Sequence, residues 1–198
     1  MWKHLAVAAV VLAGFIALGT TAVAVDVAGL ARASSAVVRA RAVTSTARWT
    51  SDGARIVTDT ELEVLEVWKG AAAARVVAMQ PGGVVGEVGQ AVAGVARFAV
   101  GEEVVLFLEP RGTRFTVTAM AQGKWRVERS SDGAAAYARQ VADDGAELLD
   151  ARNGQPVPRA DKVLALDELK AQVRAAATSD QGSTSPGTSR PPLVPRAP

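Results

Sequence analysis

Acidic residues stand side by side at two places in the sequence, Glu102-Glu103 and Asp143-Asp144. A glycoside hydrolase needs two carboxyl groups that converge across one sugar. Neighbouring residues of a strand point to opposite faces, so neither pair predicts a shared site. We interpret both pairs as solvated turn or edge residues and keep a hydrolase that uses carboxylates alone as an alternative. Calcium binding by Asp143, Asp144 and Glu147 would match no standard loop pattern.

Other chemical groups on which enzymes depend are scarce. The only histidine is His4, and the sequence contains no cysteine. Residues beyond His4 therefore offer no imidazole base, no thiol nucleophile, no disulfide and no His or Cys ligand for a metal. A serine activated by Lys124 stays open, although the sequence lacks the motif that surrounds known Ser-Lys dyads. We expect no enzymatic activity, no metal and no cofactor.

A glycine-rich segment runs from Pro81 to Gly94. It lacks the Lys-Ser/Thr pair of a P-loop, and no clear helix follows it. Its only titratable side chain is Glu87, so acid–base chemistry is not expected there. We predict a long irregular loop that offers its backbone and valines to a protein partner. The residues expected to contact that partner are Pro81, Gly82, Gly83, Val84, Val85 and Gly86, with Val88 and Val92 further along.

Trp68 and Lys69 directly precede Gly70 and form a second candidate contact, at the rim of the domain. A simpler interpretation is the end of a strand, where the tryptophan covers the edge of the core and the glycine releases the backbone. We favour this second interpretation.

The composition narrows the classes of partner. Lys and Arg total 22 against 20 Asp and Glu, a balance that predicts no surface for nucleic acid. Apolar residues make up 49% of the 198 residues, enough for the core of one domain. Aromatic residues are only 5%, so Val, Ala and Leu must fill most of that core.

Residues 1–24 have the parts of a secretory signal. Lys3 gives a positive start, Leu5 to Leu18 is apolar and uncharged, and Ala22-Val23-Ala24 supplies the small residues that a signal peptidase reads. We predict cleavage after Ala24 and export to the periplasm or the medium. The alternative is an uncleaved membrane anchor, because Leu5 to Val25 is about long enough to span a bilayer.

Periodicity predicts a short helix followed by strands. Asp26 can cap a helix that extends to Ser35, and residues 36–43 alternate small or apolar residues with arginines, as a half-buried strand does. Residues 54–69 are ambiguous, because they fit either a helix or a strand with a bulge near Val64. We favour the strand.

Further strands are expected at 75–79, 104–108, 115–119 and 124–128. The continuous apolar run at 104–108 predicts a central strand that is buried on both faces. Asp167 can cap a last helix, which carries Leu169, Val173 and Ala176 at helical spacing.

The order of these segments resembles the netrin-like module, the OB-fold barrel shared with tissue inhibitors of metalloproteinases. The resemblance rests on Ser35–Val43, on Leu62–Gly70 with its closing Trp-Lys-Gly, and on Gly101–Leu108. It implies an OB-type fold. Tissue inhibitors coordinate the zinc of their target through an N-terminal cysteine, which this chain lacks, so that mechanism is not implied.

The sequence also resembles a family of exported bacterial proteins with a Pro-Gly-Gly loop and a late Gly-Lys-aromatic strand. Here these are Pro81–Gly86 and Gly123–Val127.

We therefore predict a mainly β protein: an antiparallel OB-type β-barrel or barrel-like sandwich with short flanking helices. The expected divisions are a signal peptide at 1–24, one domain at 25–177 and a disordered tail at 178–198, which is rich in Ser, Gly, Thr and Pro. The expected function is an exported, non-enzymatic module that binds another protein or an envelope component. A secreted protease inhibitor that acts through a loop is the alternative from a different class.

Overall fold

The structure is a computed structural model that describes residues 20–140, 146–158 and 161–181. Within these ranges the chain forms twelve strands, two α-helices and a short 3-10 helix at Met120–Gly123. The α-helices are α1, Val27–Ala33, and α2, Leu166–Gln181. The strands are β1 Thr20–Val23, β2 Ala36–Trp49, β3 Ile56–Lys69, β4 Arg75–Pro81, β5 Gly83–Val85, β6 Val88–Gln90, β7 Glu103–Arg111, β8 Arg114–Val117, β9 Lys124–Arg129, β10 Ala136–Gln140, β11 Ala146–Leu149 and β12 Lys162–Ala165. The expectation of a mainly β protein is confirmed.

Eight strands form one sheet in the order β12-β10-β9-β7-β2-β3-β4-β8. β7 lies inside this sheet and its first six residues are buried, which confirms the predicted central strand. β7 also pairs antiparallel with β8, and β8 makes a parallel bridge to β4 at Phe115 and Ala78. The pairings thus lead from β7 through β2, β3, β4 and β8 back to β7.

β2 and β3 form a long antiparallel hairpin, so the strand interpretation of the ambiguous segment is confirmed and the helix is excluded. Leu65 is skipped in the register, because Arg39 faces Glu66 while Ala40 faces Val64. This irregularity lies where the phase of the apolar residues predicted a bulge. Leu65 and Val67 consequently face outward.

Two apolar clusters lie on opposite faces of β2 and β7. The first packs Val37, Val105 and Phe107 against the helices through Leu30 and Leu169. The second is built from the alternate residues of the same strands, from one face of β3, β4 and β8, and from Ala96 in the segment between β6 and β7. Its buried members are Ala36, Val38, Ala40, Ala42, Leu62, Val76, Ala78, Ala96, Val104, Leu106, Leu108 and Val117. The period of two along a strand explains how one pair of strands serves both clusters.

Both predicted helices exist. Asp26 caps α1 by accepting a hydrogen bond from the Gly29 N–H at 2.7 Å. In α2 the predicted residues Leu169, Val173 and Ala176 are buried. Asp167 lies in the first turn of α2 and is not its cap, because the helix begins at Leu166.

The predicted start of the tail at Thr178 is wrong, because α2 continues to Gln181. Thr178 and Ser179 donate hydrogen bonds to the backbone carbonyls of Arg174 and Ala175, so their hydroxyls are satisfied within the helix. The rest of the predicted tail, 182–198, lies outside the described residues.

Most of the predicted leader, residues 1–19, also lies outside the described residues. The segment that follows forms β1 and pairs in parallel with β11, with Thr20 opposite Ala146 and Val23 opposite Leu149. The predicted cleavage point after Ala24 therefore lies directly beyond a paired strand, and the Ala24 N–H still donates to the Leu149 carbonyl at 2.8 Å. In the described part of the chain, neither helix has the length and apolar character needed to cross a membrane.

Candidate functional site

A cavity of about 380 Å³ opens between the β3–β4 end of the sheet and the segment that follows β4. β2, β3 and β4 contribute its polar wall, which consists of Ser45, Thr58, Thr60 and Gln80. The other wall comes from residues 81–84, 89–92 and 95–98. We call this cavity the hairpin pocket.

The segment predicted as an irregular loop from Pro81 to Gly94 is largely a hairpin, and that prediction is corrected. β4 extends to Pro81, and β5 and β6 then pair antiparallel with Val85 opposite Val88. Gly86 forms the tip with a φ of 60°. Strands of three residues are too short to show a recognisable alternation of apolar and polar residues. The frequent glycines therefore led to the prediction of a loop.

The hairpin lies against β2 and β3 because Gly83 has no side chain. A Cβ on Gly83, where φ is 140°, would come within 2.6 Å of the Thr58 Oγ1 and 2.8 Å of the Ala47 Cβ. Three hydrogen bonds hold the base of the hairpin. The Gly82 N–H donates to the Ile56 carbonyl, the Ile56 N–H donates to Gln90 Oε1, and the Thr58 hydroxyl donates to the Gly82 carbonyl, at 2.7–2.8 Å.

Gln80 is the least satisfied polar side chain of the hairpin pocket. It is 6% exposed, and its Nε2 is buried without a hydrogen-bond partner in the described part of the chain. Nearby, the hydroxyls of Ser45 and Thr60 lie 3.3 Å apart and share one hydrogen bond. Unpaired buried amides cost about 1–3 kcal/mol, so such a group requires a reason. A ligand with its own donors and acceptors would supply one.

Lys124 fixes the outer wall of the hairpin pocket. Its ammonium donates to the Arg97 carbonyl, lies 2.5 Å from Glu102 Oε1 and sits 4.9 Å from the centre of the Phe98 ring. Burial lowers the pKa of Lys124, and the bond to Glu102 opposes that shift. No described hydrogen bond joins this amine to a serine, so the geometry gives the Ser-Lys alternative no support.

The interpretation of Glu102 and Glu103 as solvated residues is wrong. Their side chains are only 8% and 7% exposed. Glu102 is paired with Lys124 and Arg126, whereas Glu103 is surrounded by three arginines of β2 and β9: Arg39, Arg41 and Arg129. Because the two carboxylates point to opposite faces, as expected, each carboxylate is neutralised by a separate set of cations and they do not converge on one site.

The second acidic pair, Asp143 and Asp144, lies outside the described residues, whereas Glu147 is part of β11. Among the residues described, no three His, Cys, Asp or Glu side chains are grouped so that they could hold a metal ion.

The structure brings four of the six predicted contact residues, Pro81 to Val84, to the wall of the hairpin pocket. Val85 and Gly86 form the outer part of the hairpin and do not line it. Val84 and Val88 are 68% and 50% exposed, so the hairpin also carries apolar surface.

Trp68 and Lys69 serve the fold, in agreement with the simpler interpretation. Trp68 is 6% exposed and belongs to the cluster under the helices. The Lys69 ammonium donates to the carbonyls of Ala31 and Ser34 at 2.6 and 2.8 Å, at the C-terminal end of α1. Gly70, with a φ of 71°, then turns the chain where a Cβ would meet the Ser35 carbonyl oxygen at 2.1 Å.

The polar wall of Ser45, Thr58, Thr60 and Gln80 was not predicted from the sequence, and neither was Gln90 on the other wall. A signal was present, because Thr60 is in phase with Leu62, and Gln80 is in phase with Val76 and Ala78, all of which are buried. Polar residues at inward-facing positions of a strand indicate either a paired core group or a binding site.

No protein-family model matches this sequence, and no curated protein matches it at a significant level. The geometry of the hairpin pocket is therefore the main guide to function.

Proposed function

We propose that this chain is an exported binding module without catalytic activity, and that it takes part of a protein partner into the hairpin pocket. A cavity of about 380 Å³ falls in the size range of ligand sites, about 300–1,000 Å³, which are mainly apolar with a few polar groups. The observation that carries the proposal is the buried amide of Gln80, which lacks a partner at the wall of this cavity. Export rests on the leader pattern in residues 1–24.

The proposed fold is an OB-type barrel, in line with the netrin-like resemblance. Two observations support it: the pairings from β7 through β2, β3, β4 and β8 return to β7, and the β4–β8 contact is the parallel one. The second apolar cluster then forms the interior of the barrel, with the hairpin pocket at one end.

The ion pairs of the buried acidic and basic side chains favour binding over catalysis. Glu102 and Glu103 are neutralised by separate cations, which leaves a carboxylate-only hydrolase without its pair of acids. Lys124, the buried amine nearest the hairpin pocket, is engaged by Glu102 and a backbone carbonyl.

A second candidate function is a protease inhibitor that inserts the β5–β6 hairpin into a cleft. The exposure of Val84 and Val88 favours it. Titration against a panel of secreted proteases separates the two functions. Stoichiometric inhibition that is lost when residues 83–90 are replaced by a Gly-Ser linker would select the inhibitor.

Site-specific photocrosslinking in the exporting cell tests the binding proposal. A photoreactive residue at position 84 should give one discrete adduct, because that position borders the hairpin pocket. The matched control is position 163, which is similarly apolar and exposed but lies in β12, at the opposite edge of the large sheet. Equal adducts at both positions, or none at position 84, would contradict the proposal.

A further inference from the structure

Parallel backbone pairing holds β1 on β11. The two strands are parallel over four residues, Thr20–Val23 against Ala146–Leu149. Thr21 is exposed and Val23 is 52% exposed, so these side chains add little to the attachment. The strip of surface along β11, which we call the β11 slot, therefore accepts an extended chain with little selection for side chains at the positions of Thr21 and Val23.

The buried side chain of Gln122 closes one end of the β11 slot. Its Nε2 donates to the Val23 carbonyl at 3.0 Å, and its Oε1 accepts from the Val25 N–H at 2.9 Å. Between them, the Ala24 N–H donates to the Leu149 carbonyl at 2.8 Å. Gln122 is itself fixed, because Gln140 Nε2 donates to its backbone carbonyl.

Cleavage after Ala24 would keep one of these three hydrogen bonds and remove the other two. Val25 would become the N-terminus, and its ammonium would keep the bond to Gln122 Oε1 in a stronger, charge-assisted form. Gln122 Nε2 and the Leu149 carbonyl would each lose their partner with the departing strand. β11 would also lose β1, its one partner strand in the described part of the chain. It would keep the bridge from Leu149 to Pro156 and would present an unpaired edge, which is a template for another chain.

We propose that removal of residues 1–24 opens the β11 slot as a binding site for an extended peptide segment of another protein. A carbonyl of that segment accepts from Gln122 Nε2, and an N–H of it donates to the Leu149 carbonyl, in the parallel register that β1 adopts. An uncharged peptide fits, because the residues that occupy the slot in the structure, Thr20–Val23, carry no charge. This site is separate from the hairpin pocket and does not depend on its function.

The test begins with N-terminal sequencing of the exported protein, which should start at Val25. The exported form is then titrated with the blocked peptide acetyl-Thr-Thr-Ala-Val-Ala-amide, which copies residues 20–24, while chemical shifts of β11 amides are followed. Saturable shifts in β11 and in the Gln122 side chain are expected. The same peptide N-methylated on the backbone nitrogen of its final alanine, the equivalent of Ala24, cannot donate to the Leu149 carbonyl and should not bind.

The variant Gln122→Glu separates binding from folding. It keeps an acceptor for Val25 but removes the Nε2 donor, so peptide affinity should fall about fivefold to tenfold while the melting temperature is retained. The control Gln155→Ala changes an exposed residue of the neighbouring turn and should leave the affinity unchanged. An intact leader on the exported protein, no peptide binding, or equal binding by the N-methylated peptide or by Gln122→Glu would overturn the proposal.

Discussion

The binding proposal depends on one residue, Gln80, and on its side-chain amide. It is buried at the wall of the hairpin pocket, with Nε2 lacking a partner among the described residues. We predict that Gln80→Leu leaves the free energy of unfolding unchanged or raises it by about 1 kcal/mol, because an apolar side chain removes the cost of an unpaired amide. Urea unfolding measures this change, and the crosslink from position 84 should be lost in the same variant.

Gln90→Leu is the matched contrast, because Gln90 also lines the hairpin pocket but accepts a hydrogen bond from the Ile56 N–H. This variant should lose about 1–2 kcal/mol of stability. If Gln80→Leu destabilised the protein as much as Gln90→Leu does, Gln80 would be a structural residue and the proposal would lose its main support.

The Glu66–Lys170 ion pair connects β3 to α2, and its contribution to stability should depend on pH. The Lys170 ammonium is the main cause that holds the pKa of Glu66 below its ordinary value of 4.5. A carboxyl whose pKa is lower in the folded state stabilises the protein above the unfolded pKa, and this contribution is lost as the pH falls through the folded value. Lys170→Met should therefore cost about 0.5–1 kcal/mol at neutral pH, since the pair is partly solvated.

The difference between wild type and Lys170→Met should shrink as the pH falls through the folded pKa of Glu66, and it should vanish once Glu66 is protonated in both states. Unfolding titrations at several pH values measure it. In a Glu66→Gln background, Lys170→Met should have almost no further effect at neutral pH. A cost that persists unchanged at low pH would mean that Lys170 acts through packing.

Single residues were predicted well where their role is local and poorly where their partners come from distant strands. The helix cap at Asp26 and the glycine turn at Gly70 follow from neighbours in the chain. The burial of Glu103 does not, because its cations lie on β2 and β9, about sixty residues before it and about thirty after it in the chain. The periodicity of apolar residues and the residue types found at turns contain no information on such ion pairs between distant strands.

At the scale of elements, β7 is the strand whose loss should damage the fold most. Its Phe107 is fully buried in the cluster between the sheet and the helices. Phe107→Ala should cost about 3–5 kcal/mol, because the ring leaves a cavity that a rigid sheet cannot close. The exposed Val100→Ala in the preceding loop is the control and should change the urea midpoint little. Similar small changes for both variants would contradict the assignment of β7 to the core.

The β5–β6 hairpin provides a second prediction at this scale. Gly83→Ala forces a Cβ into Thr58 and Ala47, whereas Gly89→Ala in the same hairpin would meet only the Val84 Cγ2 at 3.7 Å, an ordinary contact. Gly83→Ala should cost about 1–3 kcal/mol and accelerate amide exchange at residues 83–90. Gly89→Ala should do neither. Protected hairpin amides in Gly83→Ala would show that the hairpin does not need this close approach.

The elements themselves were largely predictable. β7 is a continuous apolar run and β9 alternates, so both were found from their periods. The hairpin was read as a loop because each of its strands has only three residues. The strand pairings return to β7 through a single bridge between β4 and β8. No local sequence pattern specifies that bridge.

At the scale of the whole molecule, the boundary of the domain follows from α2. The helix reaches Gln181, and the composition of residues 182–198 offers little apolar surface to bury. Truncation after Gln181 should leave the melting temperature nearly unchanged, as scanning calorimetry would show. Truncation after Ala177 is the comparison, since it removes the last turn of α2. A loss of several degrees on truncation after Gln181 would mean that Leu193 and Val194 pack on the domain.

The central claim, that the hairpin pocket receives a partner, is tested most directly by filling the pocket. Val92 lines it and is partly buried, so Val92→Trp should place an indole ring in the cavity of about 380 Å³ and narrow it without altering the sheet. The measurement is the yield of the photocrosslinked adduct from position 84, compared between the wild-type chain and Val92→Trp at equal melting temperature. We predict that the adduct disappears in Val92→Trp; an undiminished adduct would contradict the claim.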